Sequence, residues 1–117
     1  MTERPSKPTI VKPWGSETVH HLGRYCVKEL FMKAGEECSL QYHVSKEETI
    51  IAFSGRLEVS FGESAEKLET RELKCGETLH LTPGTVHQMR AIEDSLYFEA
   101  STSELDDVVR LSDKYGR

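Results

Sequence analysis

Apolar and polar residues alternate along most of this chain with a period of two, in short runs divided by turn residues. Arg56-Leu-Glu-Val-Ser-Phe alternates most cleanly and predicts a strand with Leu57, Val59 and Phe61 on its buried side. Comparable β-rich runs cover residues 25–33, 39–43, 48–53, 69–74, 78–82, 86–92 and 96–101. Ser54-Gly55, Gly62-Glu-Ser, Cys75-Gly76, Pro83-Gly84 and Glu93-Asp-Ser punctuate them as turns. Many short strands at this spacing predict an antiparallel sandwich or barrel, and no internal repeat is present. Residues 65–73 also admit a short helix, although Gly62 and Gly76 leave it little room.

The run at 25–33 has two mixed faces, Tyr25, Val27, Glu29 and Phe31 against Cys26, Lys28, Leu30 and Met32. Periodicity does not choose between them. Lys28 is read first as a solvated charge and second as a cation reaching a cavity. Residues 1–13 hold three of the four prolines and read as an extended arm, and 103–117 read as a polar tail. Trp14, the only tryptophan, is expected to pack against the outside of the domain, with a part in the site as the second reading.

A length of 117 residues predicts one domain, 1–117, with one core. Hydrophobic residues make up 37% and charged residues 30%, which suits a thin-walled β structure with solvated outer positions. A net charge of −5 without a basic run argues against nucleic acid as a partner, while a locally positive pocket still admits an anionic small molecule. No apolar run is long enough to span a membrane, and Met1-Thr-Glu-Arg-Pro lacks a signal-peptide core, so a cytoplasmic location is expected. Cys26, Cys38 and Cys75 share no metal-type spacing and read as free thiols, mainly in packing roles.

Two stretches carry chemistry. In the first, Gln41 and His43 lie two apart and share one face of a strand. Residues 44–47 read as a turn, so that Glu48, opening a returning strand, comes back opposite them as a hairpin. An amide oxygen, an imidazole and a carboxylate around one point make a donor set for Zn, Mn, Fe or Ni. In the second, a strand runs into the Pro83-Gly84 turn and His87 follows it, held by a firmly specified backbone. His80 competes for the role from mid-strand, whereas His20 and His21 fall in a segment without strand pattern.

Together the stretches resemble the two motifs of the cupin superfamily. Gly35, Gln41, His43, Glu48 and Gly55 fit the first motif, with Gln41 replacing its first His. Gly76, Pro83, Gly84 and His87 fit the second, with Thr82 replacing a Pro and Ala91 an Asn. Lys12-Pro-Trp-Gly-Ser-Glu, Arg24-Tyr-Cys-Val-Lys28, Ser39-Leu-Gln-Tyr-His43 and the tail from Asp106 to Arg117 resemble, more narrowly, the type II phosphomannose isomerase domain. That domain also occurs fused to a mannose-1-phosphate guanylyltransferase, and it too uses Gln at the first ligand position. The chain departs from it at Val44-Ser45, where the family has consecutive His residues.

The resemblance implies an all-β, small cupin (double-stranded β-helix, or jelly-roll) barrel, with a homodimer expected because paired edges hide exposed strands. It implies one divalent transition metal (Zn, Mn, Fe, Co or Ni) on Gln41, His43, Glu48 and His87. It further implies a small-molecule sugar phosphate, with mannose 6-phosphate or a related hexose phosphate isomerised between aldose and ketose. Glu99 is the candidate base and Glu47 a weaker one, while Lys28, Arg110 and Arg117 are candidates to bind phosphate, Lys28 and Arg110 also to assist catalysis. Two other readings stand beside this: a metal- and sugar-binding module without turnover, and an Fe-dependent, oxygen-activating cupin.

Overall fold

The computed structural model describes residues 9–116. Among them the chain forms eleven strands and no helix, so that of residues 65–73 the first three make a turn and the rest a strand. The strands are β1 (Thr9–Lys12), β2 (Gly15–Leu22), β3 (Cys26–Met32), β4 (Leu40–Tyr42), β5 (Glu48–Ser54) and β6 (Leu57–Gly62). There follow β7 (Leu68–Leu73), β8 (Thr78–Leu81), β9 (Val86–Ala91), β10 (Ser95–Ser101) and β11 (Val109–Ser112). They pair antiparallel in two sheets, one ordered β1-β2-β3-β10-β5-β8 and the other β11-β4-β9-β6-β7.

Alternation does the positioning. Along β3 and β10 every second residue is buried, so Cys26, Lys28, Leu30 and Met32 face inward with Ser95, Tyr97, Glu99 and Ser101 beside them. This resolves the ambiguous run in favour of the face that carries Lys28. Leu57 and Val59 of β6 are buried as the pattern demands, and Phe61 packs at the margin. Each fully buried aliphatic side chain of this kind contributes about 1.5–3 kcal/mol on leaving water. Trp14 is 4% exposed and belongs to the core, not to the outside of the domain as expected. The cause lies in the pairing of its neighbours: Lys12 and Gly15 face one another across β1 and β2, so Trp14 sits in the tight connection and turns inward.

Three strands lie where no alternation announced them. Of the N-terminal arm, residues 9–12 are hydrogen-bonded to β2, and of the C-terminal tail, residues 109–112 pair with β4. His20 and His21 therefore belong to a strand. The expected hairpin across 44–47 is corrected: β4 and β5 lie in different sheets, and the chain crosses from one to the other there. Between β5 and β6 the turn needs Gly55, whose φ is 84° and whose absent Cβ would lie 2.1 Å from the Asp94 carbonyl oxygen.

Candidate metal centre

His43 follows β4, His87 is the second residue of β9, and Glu48 opens β5 in the facing sheet. One nitrogen from each imidazole and one carboxylate oxygen of Glu48 lie within 4.8 Å of one another. Glu48 Oε1 stands 3.2 Å from His87 Nε2 and 3.5 Å from His43 Nε2, with all three residues buried.

The far side of each ring shows what these atoms are. His43 Nδ1 lies 2.6 Å from the Asp107 carbonyl oxygen and His87 Nδ1 lies 2.9 Å from that of Thr85. A carbonyl only accepts, so each Nδ1 carries hydrogen and each ring turns its Nε2 towards Glu48. Both carboxylate oxygens and both Nε2 atoms are buried without a hydrogen bond of good geometry, although Lys46 approaches one of the oxygens. Two imidazoles with a carboxylate form a donor set that could hold a divalent transition metal. Gln41 pairs in register with His87 across β4 and β9, which puts both side chains on one face, and its amide oxygen takes the Ser39 hydroxyl hydrogen at 2.5 Å.

Burial alone would raise the Glu48 carboxyl, but His43, His87 and Lys46 outweigh it and hold it well below the usual carboxylate range. Burial would likewise push His87 down, and Glu48 overrides it and raises it. The turn before β9 is tied to the other histidine, since the Gly84 N–H donates to the His43 carbonyl at 2.7 Å.

His43 and Glu48 border a cavity of about 280 Å³ between the sheets, with His87 behind them. Gln41, Glu17, Lys28, Lys46 and Glu99 also line it, with Trp14, Leu30, Met89 and Tyr97 as apolar wall and Lys12, Asp106 and Arg110 among its exposed or half-exposed residues. Lys28 Nζ is 3.5 Å from Glu17 Oε1, and Lys46 Nζ is 3.3 Å from Glu48 Oε2. Burial pushes the Glu99 carboxyl up to about 7, helped by the Glu48 charge and only partly offset by Lys46 and Lys28.

The sequence profile of the family described as mannose-6-phosphate isomerase, C-terminal, matches residues 2–113. The chain belongs to this family. The isomerase C-terminal sequence recurs in longer proteins. Alginate biosynthesis protein AlgA of Pseudomonas putida is 32% identical over 99% of this chain and 24% of its own length. Mannose-1-phosphate guanylyltransferase 2 of Escherichia coli O157:H7 is 27% identical over 97% of this chain and 24% of its own. The chain thus spans about a quarter of the curated relatives it matches. Among solved structures, the capsular polysaccharide assembling protein CapF from Staphylococcus aureus superposes with a TM-score of 0.78 at 19% identity, over 93% of this chain and 32% of CapF. Oxalate decarboxylase from Bacillus subtilis does so with a TM-score of 0.78 at 12% identity, over 90% of this chain and 30% of the enzyme. These likenesses concern the fold, a small all-β cupin barrel.

Against that family pattern, His43, Glu48 and His87 come together, with Gln41 on the same cavity, and Glu99 lies buried within it. Lys28 corrects the preferred solvated reading, being 8% exposed inside the cavity. Arg110 is exposed at the cavity, and no ion pair or hydrogen bond engages its side chain among the described residues. Arg117 lies outside the described residues. Glu47 and His80 are exposed and bonded to each other outside the cavity, so neither competes for the site. His20 bonds Glu29 and His21 stacks on Tyr25, both away from the cavity. Cys26 and Cys38 are buried as expected, whereas Cys75 is exposed and packs nothing.

Sequence reasoning missed Lys46, Glu17 and Asp107. Lys46 sits in a polar turn-like string and Glu17 in a strand without apolar alternation, so neither carried a burial signal. Val44 is 64% exposed and borders no part of the cavity, so its departure from the family histidines leaves the cavity lining unchanged.

Among the described residues no helix is long and apolar enough to cross a membrane.

Proposed function

We infer that this chain is a metal-dependent sugar-phosphate isomerase, with mannose 6-phosphate the first hexose phosphate to test. The observation that carries the reading is the pairing, at one cavity, of a buried His43–Glu48–His87 donor set with a buried Glu99 whose carboxyl is raised to about 7. Aldose–ketose isomerisation moves a proton between C1 and C2 of an open-chain sugar. Glu99 has the protonation range for it, since a base works best with a pKa near the operating pH. Its carboxylate takes the proton at one carbon and returns it to the next. A divalent metal on Gln41, His43, Glu48 and His87 would supply positive charge to the two reacting oxygens. Lys28 and Lys46 hold ammonium groups inside the cavity, where developing negative charge is stabilised most strongly. Arg110, unengaged at the cavity edge, is placed to grip a phosphate with its fork of donors.

A second reading is a metal- and sugar-binding module without turnover. It is supported by the short span of this chain within its relatives, whose names refer to guanylyl transfer and alginate biosynthesis. Purified protein supplied in turn with Zn, Mn, Co, Ni and Fe, and assayed on aldose and ketose phosphates for interconversion, separates the two. Metal-dependent turnover that Glu99→Gln abolishes without loss of bound metal supports the isomerase. Bound metal with no turnover supports the module, and oxygen consumption with Fe alone would support the oxygen-activating reading instead.

A further inference from the structure

The crossing from β4 to β5 carries His43 at its start and Glu48 at its end, and its polar residues provide no apolar anchor of their own. Gly84 bonds its first carbonyl and Thr102 bonds Glu47, while the three amides between are held by one side chain from the C-terminal segment. Asp107 Oδ1 accepts the Val44 N–H at 2.9 Å, and Asp107 Oδ2 accepts those of Ser45 at 2.7 Å and Lys46 at 2.8 Å. The main-chain carbonyl of the same residue accepts the His43 Nδ1 hydrogen at 2.6 Å. One residue thus fixes both the loop and the tautomer of the ring. The three amide bonds hold its carboxyl below the usual aspartate range, as expected of an anion seated on consecutive N–H groups.

We propose that Asp107 is a positioning residue of the centre. Its carboxylate ties the 44–46 backbone to the segment leading into β11, and its carbonyl keeps the His43 ring turned with Nε2 towards Glu48. His87 makes no bond to Asp107: its Nδ1 hydrogen goes to Thr85, and the turn holding it meets the crossing only at the His43 carbonyl, through Gly84. The two rings therefore form a built-in comparison, one bonded directly to Asp107 and one not. The affinity of the centre rests on the metal reading above; the state of the His43 ring does not.

The test uses the whole chain, stripped of metal and labelled with ¹⁵N at histidine, as wild type, Asp107→Asn, Asp107→Ala and Glu104→Gln. Asn keeps one acceptor oxygen and turns an NH₂ donor towards an N–H donor; Ala removes both acceptors. In wild type, His43 should show a protected Nδ1–H, held by the Asp107 carbonyl. In Asp107→Ala that protection should be lost, with Asn between, while His87 keeps its protected Nδ1–H in every variant. Glu104, exposed and bonded to the Thr102 hydroxyl, is the control on the same segment and should change neither ring. Chelator competition with Co²⁺ should then show affinity lower by roughly ten- to a hundredfold in Asp107→Ala, the usual loss for a group that orients a metal-binding imidazole. An unchanged His43 signal in Asp107→Ala, or unchanged Co²⁺ affinity in a protein that binds Co²⁺, overturns the proposal. Should wild type take up no Co²⁺, the metal reading fails and the ring signals alone decide. Should Asp107→Ala not fold, Asp107→Asn is judged by the same criteria.

Discussion

Glu99 offers the most direct probe of the cavity, because its environment has an opposite effect on stability to that of an ordinary surface acid. The side chain is 6% exposed on β10, opposite Lys28 of β3 and Ile50 of β5. Burial, then the Glu48 charge, raise its carboxyl to about 7 against an ordinary 4.5. Unfolded chain releases this proton near 4.5, and folded chain keeps it until about 7, so between those values the folded state binds more protons. Stability contributed here falls as pH rises through that window and levels off above it. At about 1.4 kcal/mol for each pH unit of difference, the ceiling is about 3 kcal/mol. Raised His87 acts in the same direction as its charge is lost, and depressed Glu48 acts only under more acidic conditions, so wild type alone does not isolate Glu99. The comparison with Glu99→Gln does, because Gln resembles the protonated acid. Urea unfolding of both metal-stripped proteins should give nearly equal midpoints at about pH 4, an acidity at which Glu99 is mostly protonated in both states. Near pH 8 the variant should be the more stable, and with slopes of about 1–3 kcal/mol/M the midpoints should separate by as much as roughly 1–3 M. Equal midpoint losses in the two proteins between these pH values would show that Glu99 is solvated, and would remove it as a base tuned by burial.

Three other outcomes follow from the geometry. His87→Ala should abolish stoichiometric Co²⁺ or Zn²⁺ uptake by metal analysis while circular dichroism still reports a folded β protein, since the ring sits on a strand held by its own ladder. Arg110→Ala should leave metal content and Tm unchanged but cut hexose 6-phosphate turnover roughly ten- to a thousandfold, the equivalent of about 1.4–4 kcal/mol in charge-assisted contacts. Gly55→Ala should lower stability by more than about 1 kcal/mol in urea titration, because a Cβ there meets backbone; Gly76→Ala, with a similar φ but open space, should cost about 1 kcal/mol or less.

The strands whose inner faces are apolar were legible from alternation alone, β6 above all. Those that line the cavity were not, and the reason is physical. In β2 the inward side chains include Glu17, and in β3 they include Lys28, so the polar interior erases the contrast on which periodicity depends. Lys46 was hidden in the same way, by a string of polar residues that reads as a solvated turn. The meeting of His43, Glu48 and His87 was visible in the motif spacing, though through a hairpin that does not exist. A crossing between sheets and a hairpin both return a chain after a few polar residues, and only sheet membership tells them apart. Asp107 fell within the tail that carries the family resemblance, but its role was not legible, because its partners are backbone amides more than sixty positions away.

That crossing has a mechanical consequence. His43 and His87 stand on the five-stranded sheet and Glu48 on the six-stranded one. An ion bound by all three would act as a rivet through the sandwich, resisting the sliding of one layer over the other. Loading would then stiffen strands far from the cavity, and amide exchange should slow in both layers together, not only around the histidines. A protein riveted in this way reports occupancy of its centre through its whole framework.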